Sequence, residues 1–122
     1  MKIIITASSN KIEGPFNPRF GRADYFMLYD SDSQEWSAFQ NPAADARGGA
    51  GPQAVQFIAG KNPDVVISGR YGPSAYTALE AAGIKTYIAN TGTVNEVLGQ
   101  FLDGQLTQVG AATGPSMHGG GR

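Results

Sequence analysis

The order of two kinds of hydrophobic pattern constrains the fold more than any other feature of this sequence. Five short runs are rich in β-branched or aromatic residues, which indicates strands, and three longer stretches repeat apolar residues at helical spacing. The predicted strands cover residues 2–7, 24–30, 35–40, 64–69 and 84–90. The predicted helices cover residues 51–61, 72–83 and 93–104. This order, β-β-β-α-β-α-β-α, predicts a mixed, mostly parallel α/β sheet with helices packed on its faces.

Composition sets limits on what the chain can bind. Its 122 residues are enough for one domain with its own core, and the net charge of −1 gives no overall field that would attract nucleic acid or an anionic membrane. The absence of cysteine excludes disulfides, thiolate zinc sites and cysteine-ligated iron–sulfur clusters. The apolar run at the start is too short for a signal sequence or a membrane span, so we expect a soluble, cytoplasmic protein, most simply a monomer.

The end of the chain differs from the rest. Residues 107–122 are rich in glycine and show no periodic pattern, so the sequence predicts a folded domain over residues 1–106 followed by a flexible tail. The only histidine, His118, lies in this tail beside Met117. As a contact for a soft metal the pair is a weak signal, and an unstructured tail is the simpler interpretation.

Arginines and glycines collect in the loops that should meet at one edge of the sheet. If strand 2 pairs antiparallel with strand 1, the loops that hold Arg19, Arg22, Arg47 and Arg70 all lie where the parallel strands end, which is where open α/β sheets usually bind ligands. The three predicted helices also begin there, and helix N-termini favour anions. The pattern predicts a site for a small anionic ligand, although tight turns and solvated arginines would explain any single loop.

Acid–base chemistry has little support in the sequence. Asp24 and Asp30 bracket strand 2 and would be about 20 Å apart along an extended strand, which is too far for a catalytic pair. A Ser-His-Asp arrangement cannot be built from the predicted domain. Tyr71 could contact a ligand or simply pack into the core. These observations favour a carrier over an enzyme, so no catalytic residue is assigned.

Three blocks of the sequence carry a family resemblance: "RFGRADYF", the "GGAG" loop and "GRYGPSA". With the segments between them, from Met1 to about Leu106, they resemble the dinitrogenase iron–molybdenum cofactor biosynthesis family. That family includes NifX-like proteins, the C-terminal domain of NifB-like proteins and the molybdenum–copper orange protein group. The resemblance implies a three-layer, ribonuclease H-like α/β fold with five strands in the order 3-2-1-4-5 and strand 2 antiparallel.

The resemblance also implies a function and a site. It implies non-catalytic binding, storage or transfer of an anionic metal–sulfur cluster, with a cluster-donor or cluster-acceptor protein as a possible partner. Without cysteine such a cluster would be held non-covalently, which suits a molybdenum-containing anion of the Mo–Cu–S or iron–molybdenum type. The candidate binding residues are Arg19, Phe20, Gly21, Arg22, Arg47, Gly48, Gly49, Gly51, Gly69, Arg70, Tyr71, Gly72, Pro73, Thr91, Gly92 and Thr93.

Two other functions remain open at the level of sequence. Arginines beside helix N-termini also suit a phosphate-bearing metabolite, or a regulatory module that docks onto another protein. A ribonuclease H-like hydrolase would need several carboxylates at the centre of the sheet, and the first strand, "KIIITA", contains none. A shared fold does not by itself transfer that activity.

Overall fold

One mixed β-sheet organises the protein, in a computed structural model that describes residues 1–110. The described elements are β1 (Lys2–Ala7), β2 (Tyr25–Asp30), β3 (Glu35–Gln40), α1 (Ala50–Ala59), β4 (Val65–Ser68), α2 (Pro73–Ala81), β5 (Lys85–Ile88), α3 (Val94–Leu102) and β6 (Thr107–Gln108). The strands lie side by side in the order β3-β2-β1-β4-β5-β6. β2 is antiparallel to both β1 and β3, β4 and β5 continue parallel to β1, and β6 is antiparallel to β5. The predicted α/β class, the antiparallel second strand and the order of the first five strands are confirmed.

The prediction of five strands is wrong, because the sheet has a sixth. β6 is only two residues long and carries no alternating apolar pattern, so its sequence gives no strand signal. Tertiary contacts hold it in place: Thr107 and Gln108 pair with Ile88 and Tyr87, and the Val109 N–H donates to the Thr86 carbonyl at 2.8 Å. Thr107 and Gln108 thus belong to the sheet and not to the predicted tail, and residues 111–122, with Met117 and His118, lie outside the described part of the chain.

Helices cover both faces of the sheet because the strands alternate their side chains between two cores. On one face Ile4 and Val66 pack with Ala54 and Ile58 of α1 and Leu79 of α2. On the other face a second cluster joins the strands to α3; its members include Ile3, Ile5, Met27, Val97 and Leu98. The three layers agree with the prediction, whereas the closer likeness to ribonuclease H stays a prediction. Among the described residues, no helix has the length and apolar character that crossing a membrane requires.

Candidate anion-binding site

The loop before β2 lies across the ends of β1 and β4. The Pro18 carbonyl accepts hydrogen bonds from the Gly69 and Arg70 N–H groups at 3.0 and 2.7 Å, and the Phe20 N–H donates to the Arg70 carbonyl at 3.2 Å. A Cβ on Gly69 would stand 2.5 Å from the Pro18 Cβ, so glycine is needed for this approach. The crevice at the strand ends, where topology places a ligand, is therefore filled by the protein's own backbone.

Two buried hydroxyl groups hold that loop down. Thr6 Oγ1 donates to the Asn17 carbonyl, and Ser68 Oγ lies 2.8 Å from Thr6 Oγ1 and 3.3 Å from the Pro18 carbonyl, so its single hydrogen is shared between these two acceptors. Both side chains are fully buried at the ends of β1 and β4. The loop is thus fixed to the sheet, and any ligand site must lie beside it.

An open concavity of about 370 Å³ lies beside this loop, toward the face covered by α1 and α2. Three segments form its walls: the loop at residues 20–22, the beginning of α1 and the beginning of α2. The lining residues are Phe20, Gly21, Arg22, Gly49, Ala50, Gly51, Pro52, Gly72, Pro73, Ser74 and Ala75. The concavity gathers predicted site residues from three separate loops.

The beginnings of α1 and α2 leave backbone donors available in this concavity. The N-cap residues are Gly49 and Gly72, which have no side chain that could accept a hydrogen bond from the first turn. Within residues 1–110, four first-turn N–H groups have no acceptor; they belong to Ala50, Gly51, Ser74 and Ala75. The remaining first-turn positions are Pro52 and Pro73, which have no N–H. Unpaired donors at two helix N-termini make a site for negative charge.

Glycine and alanine let the three walls meet closely. A Cβ on Gly21 would be 2.9 Å from the Gly51 nitrogen, and a Cβ on Gly51 would be 2.9 Å from the Ala75 Cβ. The Gly21 backbone therefore lies directly against the first turn of α1, and α1 lies directly against α2. A side chain at position 21 would cover the Gly51 N–H, so the small residues keep the donors accessible.

The side chains of Arg22 and Asn41 connect two segments: the wall of the concavity formed by the loop around Gly21, called the glycine wall below, and the loop that leads into α1. Arg22 Nη1 donates to the Ala44 carbonyl at 3.2 Å and also to the Ala46 carbonyl. The Asn41 side chain is buried; its Nδ2 donates to the carbonyls of Gly21 and Ala23 at 3.0 and 2.9 Å, and its Oδ1 accepts from the Ala43 N–H at 2.9 Å. Sequence reasoning missed Asn41; the signal was an Asn-Pro pair directly after a strand.

Arg19 and Arg70 form an arginine pair beside the concavity. Their backbones make a parallel β-bridge, which places two like charges at neighbouring positions, and both residues are exposed. Arg47 is exposed in the loop before α1. None of the arginines in residues 1–110 has a carboxylate within 4.0 Å. Because like charges that face each other across paired strands are destabilising, the arginine pair favours an anion between or near its side chains.

The predicted site residues fall into three groups. Seven line the concavity: Phe20, Gly21, Arg22, Gly49, Gly51, Gly72 and Pro73. Six are sequence neighbours of these but do not line it: Arg19, Arg47, Gly48, Gly69, Arg70 and Tyr71. Three lie elsewhere: Thr91 lines a separate cavity between β5, α3 and β6, and Gly92 and Thr93 precede α3.

The beginning of α3 has no free donors, which corrects the expectation that three helix N-termini would gather. The Thr93 hydroxyl accepts from the Glu96 N–H at 3.1 Å, and the Glu96 carboxylate accepts from the Thr93 N–H at 2.8 Å. The Val94 and Asn95 N–H groups donate to the Gly14 and Ile12 carbonyls at 3.0 and 2.9 Å. The capping box and the preceding loop thus satisfy this helix end, and of the three helix N-termini in residues 1–110 those of α1 and α2 alone offer free donors.

Tyr71 belongs to the core, which resolves the alternatives left open by the sequence. It is 1% exposed, and its hydroxyl donates to the Tyr87 carbonyl at 2.7 Å, with the Val66 carbonyl 3.2 Å from the same oxygen. Its ring lies 5.6 Å from the Phe20 ring, so it supports the concavity from behind. Burial raises the pKa of Tyr71 well above its usual value, and hydrogen bonds from the backbone oppose that rise only in part.

The raised pKa of Tyr71 predicts how stability changes at alkaline pH. In the unfolded chain the phenol ionises near 10.0, whereas in the folded protein it stays protonated to higher pH. The free energy of unfolding should therefore fall above about pH 10 by up to about 1.4 kcal/mol per pH unit. Tyr71→Phe should cost about 1–3 kcal/mol at neutral pH, because the Tyr87 carbonyl loses its hydroxyl donor in a buried position, and should remove this slope. Urea unfolding from pH 8 to about pH 11 measures both effects, and an equal slope in the variant would contradict the assignment.

Within residues 1–110, no three histidine, cysteine, aspartate or glutamate side chains are grouped so that they could hold a metal ion. The concavity offers N–H donors and one guanidinium instead. These groups can bind an intact anion by hydrogen bonds. The residues that line the concavity do not provide a set of ligands for a free metal cation. The predicted contacts Met117 and His118 lie outside the described residues.

The fold and this site together define an α/β protein with a concavity suited to an anion. The chain belongs to the dinitrogenase iron-molybdenum cofactor family, whose sequence model matches residues 1–104. The family resemblance predicted from the sequence is therefore confirmed, over nearly the span predicted.

Solved structures and a curated relative agree with this assignment. The apo form of the orange protein from Desulfovibrio gigas is 33% identical, with a TM-score of 0.89, and the match covers 93% of this chain and 96% of that one. The NMR structure of a candidate NifB protein from Thermotoga, TM1290, is 32% identical, with a TM-score of 0.84 and coverage of 94% and 98%. The uncharacterized protein MJ0580 of Methanocaldococcus jannaschii is 30% identical over 109 residues, which are 87% of this chain and 89% of that protein.

Proposed function

We propose that the protein binds an anionic metal–sulfur cluster as cargo and stores or transfers it without acting on it chemically. The observation that carries this proposal is the convergence of two glycine-capped helix N-termini, with four N–H groups that have no acceptor within residues 1–110, on one concavity lined by Arg22. Membership of a family named for the iron–molybdenum cofactor, and likeness to an orange protein, support a metal cluster as the kind of anion.

The donor set suits a cluster that arrives with its metal coordination complete. Backbone N–H groups and a guanidinium donate hydrogen bonds to sulfide or oxide atoms, and they do not coordinate metal. Because the chain has no cysteine, the sulfur must come from the cluster itself. A volume of about 370 Å³ accommodates a small thiometallate. The family name and the likeness to an orange protein support a molybdenum-containing cargo, Mo–Cu–S or iron–molybdenum.

The exposed arginines would attract the anionic cluster toward the concavity before it reaches the backbone N–H donors of α1 and α2. Arg19 and Arg70 stand beside the concavity without carboxylate partners in the described part of the chain, in a protein whose net charge is only −1. A local positive field of this kind raises the rate at which anions arrive and falls off with added salt. The same charges would suit an exposed, reversible handover to a cluster-donor or cluster-acceptor protein.

A phosphate-bearing metabolite is the second candidate, since the four N–H groups would equally accept phosphate oxygens. Inorganic phosphate and tetrathiomolybdate should then compete, and their relative affinities would rank the two functions. A hydrolase has less support: Asp24 and Asp30 flank opposite ends of β2, and no metal-binding group of acids occurs among residues 1–110.

The proposal is tested by titrating purified apo-protein with tetrathiomolybdate, with and without Cu(I). We expect a saturable visible absorption change at one cluster per chain and co-elution of molybdenum, measured by elemental analysis. Protein isolated from its native host should carry colour and molybdenum. Apo-protein that ignores tetrathiomolybdate, together with colourless and metal-free native protein, would overturn the proposal, and tight phosphate binding alone would favour the second candidate.

A charge-matched pair of double variants tests the role of the arginine pair. Arg19→Ala/Arg70→Ala should weaken tetrathiomolybdate binding about tenfold at low salt, because two exposed charges near the anion contribute about 0.5–1 kcal/mol each. Lys2→Ala/Lys85→Ala removes the same total charge at the first residues of β1 and β5, which lie at the other end of the strands from the concavity. This double variant should keep the affinity within about twofold of the wild type. Titrations at several salt concentrations compare them. Equal losses in the two variants would show that only net charge matters.

A further inference from the structure

The outer edge of β3 is open and lacks the usual protection of edge strands. β3 pairs with β2 on one side, continuously over six residue pairs, and within residues 1–110 no strand pairs with its other side. Natural edge strands are blunted by lysine, proline, bulges or short length. β3 has the sequence EWSAFQ, with no lysine or proline, no bulge against β2, and four of its six residues exposed. Such an edge is a template for another strand.

The side chains of β3 are arranged so that a second copy of β3 fits against it. In an antiparallel pairing centred on Ser37, Ser37 faces Ser37 of the second copy, Trp36 faces Ala38, and Glu35 faces Phe39. Each large side chain thereby meets a small or complementary one, and no like charges are opposed. Directly opposed residues lie on the same face of a sheet, so each of these pairs can make contact.

Charge strengthens this register. Glu35 lies opposite Asp30 in its own sheet, a like-charged neighbour, and has no cation within 4.0 Å among the described residues. Lys61 lies on the face that carries Phe39, with its Nζ 4.2 Å from the centre of that ring, and has no carboxylate within 4.0 Å in the same part of the chain. In the Ser37-centred pairing, Glu35 of each copy comes beside Phe39 and Lys61 of the other. Two symmetry-related Glu35–Lys61 ion pairs can then form, one on each side of the axis.

We propose that the β3 edge is a self-association surface that joins two copies of this chain antiparallel about Ser37. The two six-stranded sheets become one continuous sheet, and the two-fold axis stands perpendicular to that sheet and passes between the two Ser37 residues. Because this axis reverses strand direction, the two concavities lie at opposite ends of the joined sheet and both stay open. A partner that contributes one strand and a few exposed contacts gives a weak, concentration-dependent dimer.

Sedimentation velocity from about 10 µM to about 1 mM measures the association. We expect a reversible monomer–dimer equilibrium, and Ser37→Lys should raise the dissociation constant at least tenfold by placing two like charges on the axis. Ser37 is exposed, so the variant should fold normally. Ser33→Lys, an exposed substitution in the turn before β3, is the matched control and should leave the dissociation constant nearly unchanged. Hydrogen exchange should show protection of β3 amides that increases with protein concentration.

Charge reversal tests the register itself. Glu35→Lys and Lys61→Glu should each weaken the dimer severalfold, and the double variant Glu35→Lys/Lys61→Glu should recover most of that loss. Wild-type protein that stays monomeric over the whole concentration range would overturn the proposal. Dimers that are insensitive to Ser37→Lys, or that the double variant weakens further, would also overturn it. Tetrathiomolybdate binding does not enter these measurements, so their outcome is independent of the proposed function.

Discussion

Alanine at position 21 should weaken tetrathiomolybdate binding about 100-fold or more, the largest effect on function that we expect from a single methyl group. The new Cβ would stand 2.9 Å from the Gly51 nitrogen and 3.0 Å from the Gly51 Cα. It would cover the free N–H of Gly51 and push the first turn of α1, with the second free N–H on Ala50, away from the anion. Losing two hydrogen bonds to a charged ligand costs about 3 kcal/mol or more, which is a factor of about 100 in affinity.

The fold should survive this substitution. Overpacking against the start of α1 costs about 1–3 kcal/mol, and the strands and cores do not involve position 21. Isothermal titration and urea unfolding separate affinity from stability. Gly99→Ala is the control, because Gly99 lies in α3, away from the concavity, and its added Cβ would meet nothing within 4 Å. If Gly21→Ala binds tetrathiomolybdate as tightly as the wild type, the cluster is not held at the start of α1.

Much of this fold could be predicted because its signals are local. The β-branched run of β1, the prolines that open two helices and the Thr93–Glu96 capping box each identify an element without reference to distant residues. β6 could not be predicted, since two residues carry no periodic pattern and their placement depends on contacts with β5. Elements held only by tertiary pairing are the ones that sequence periodicity cannot find.

The meeting of the loops around the candidate concavity was predictable, but the hydrogen bonds within it were not. The alternation of strands and helices places the loops of Arg22, Gly49 and Gly72 at one edge of the sheet, and they do meet there. It could not show that Pro18 fills the crevice at the strand ends. Nor could it show that the carbonyls of residues 12 and 14 occupy the donors of α3, because both facts depend on hydrogen bonds between residues far apart in sequence.

Asn41 shows most clearly what the sequence left out, and Asn41→Ala should be among the most destabilising polar substitutions in the protein. The side chain donates to the Gly21 and Ala23 carbonyls and accepts from the Ala43 N–H, all in a buried position. Its removal leaves three polar groups unpaired, two of them fully buried, which should lower the free energy of unfolding by about 3 kcal/mol or more. Urea unfolding measures this loss, and the melting temperature should fall by more than about 10 °C.

The same substitution should also weaken tetrathiomolybdate binding about tenfold when the variant is still fully folded, because Asn41 holds Gly21 against the start of α1. Asn95→Ala is the matched control: Asn95 is exposed in the first turn of α3, and its side chain makes no hydrogen bond within the described residues, so both quantities should hardly change. If Asn41→Ala loses stability but keeps its affinity for tetrathiomolybdate, the glycine wall keeps its position without the Asn41 hydrogen bonds. Loss of both would show that a residue outside the concavity sets the geometry of its donors, through the Gly21 carbonyl and through the loop at residues 43–46 that holds Arg22.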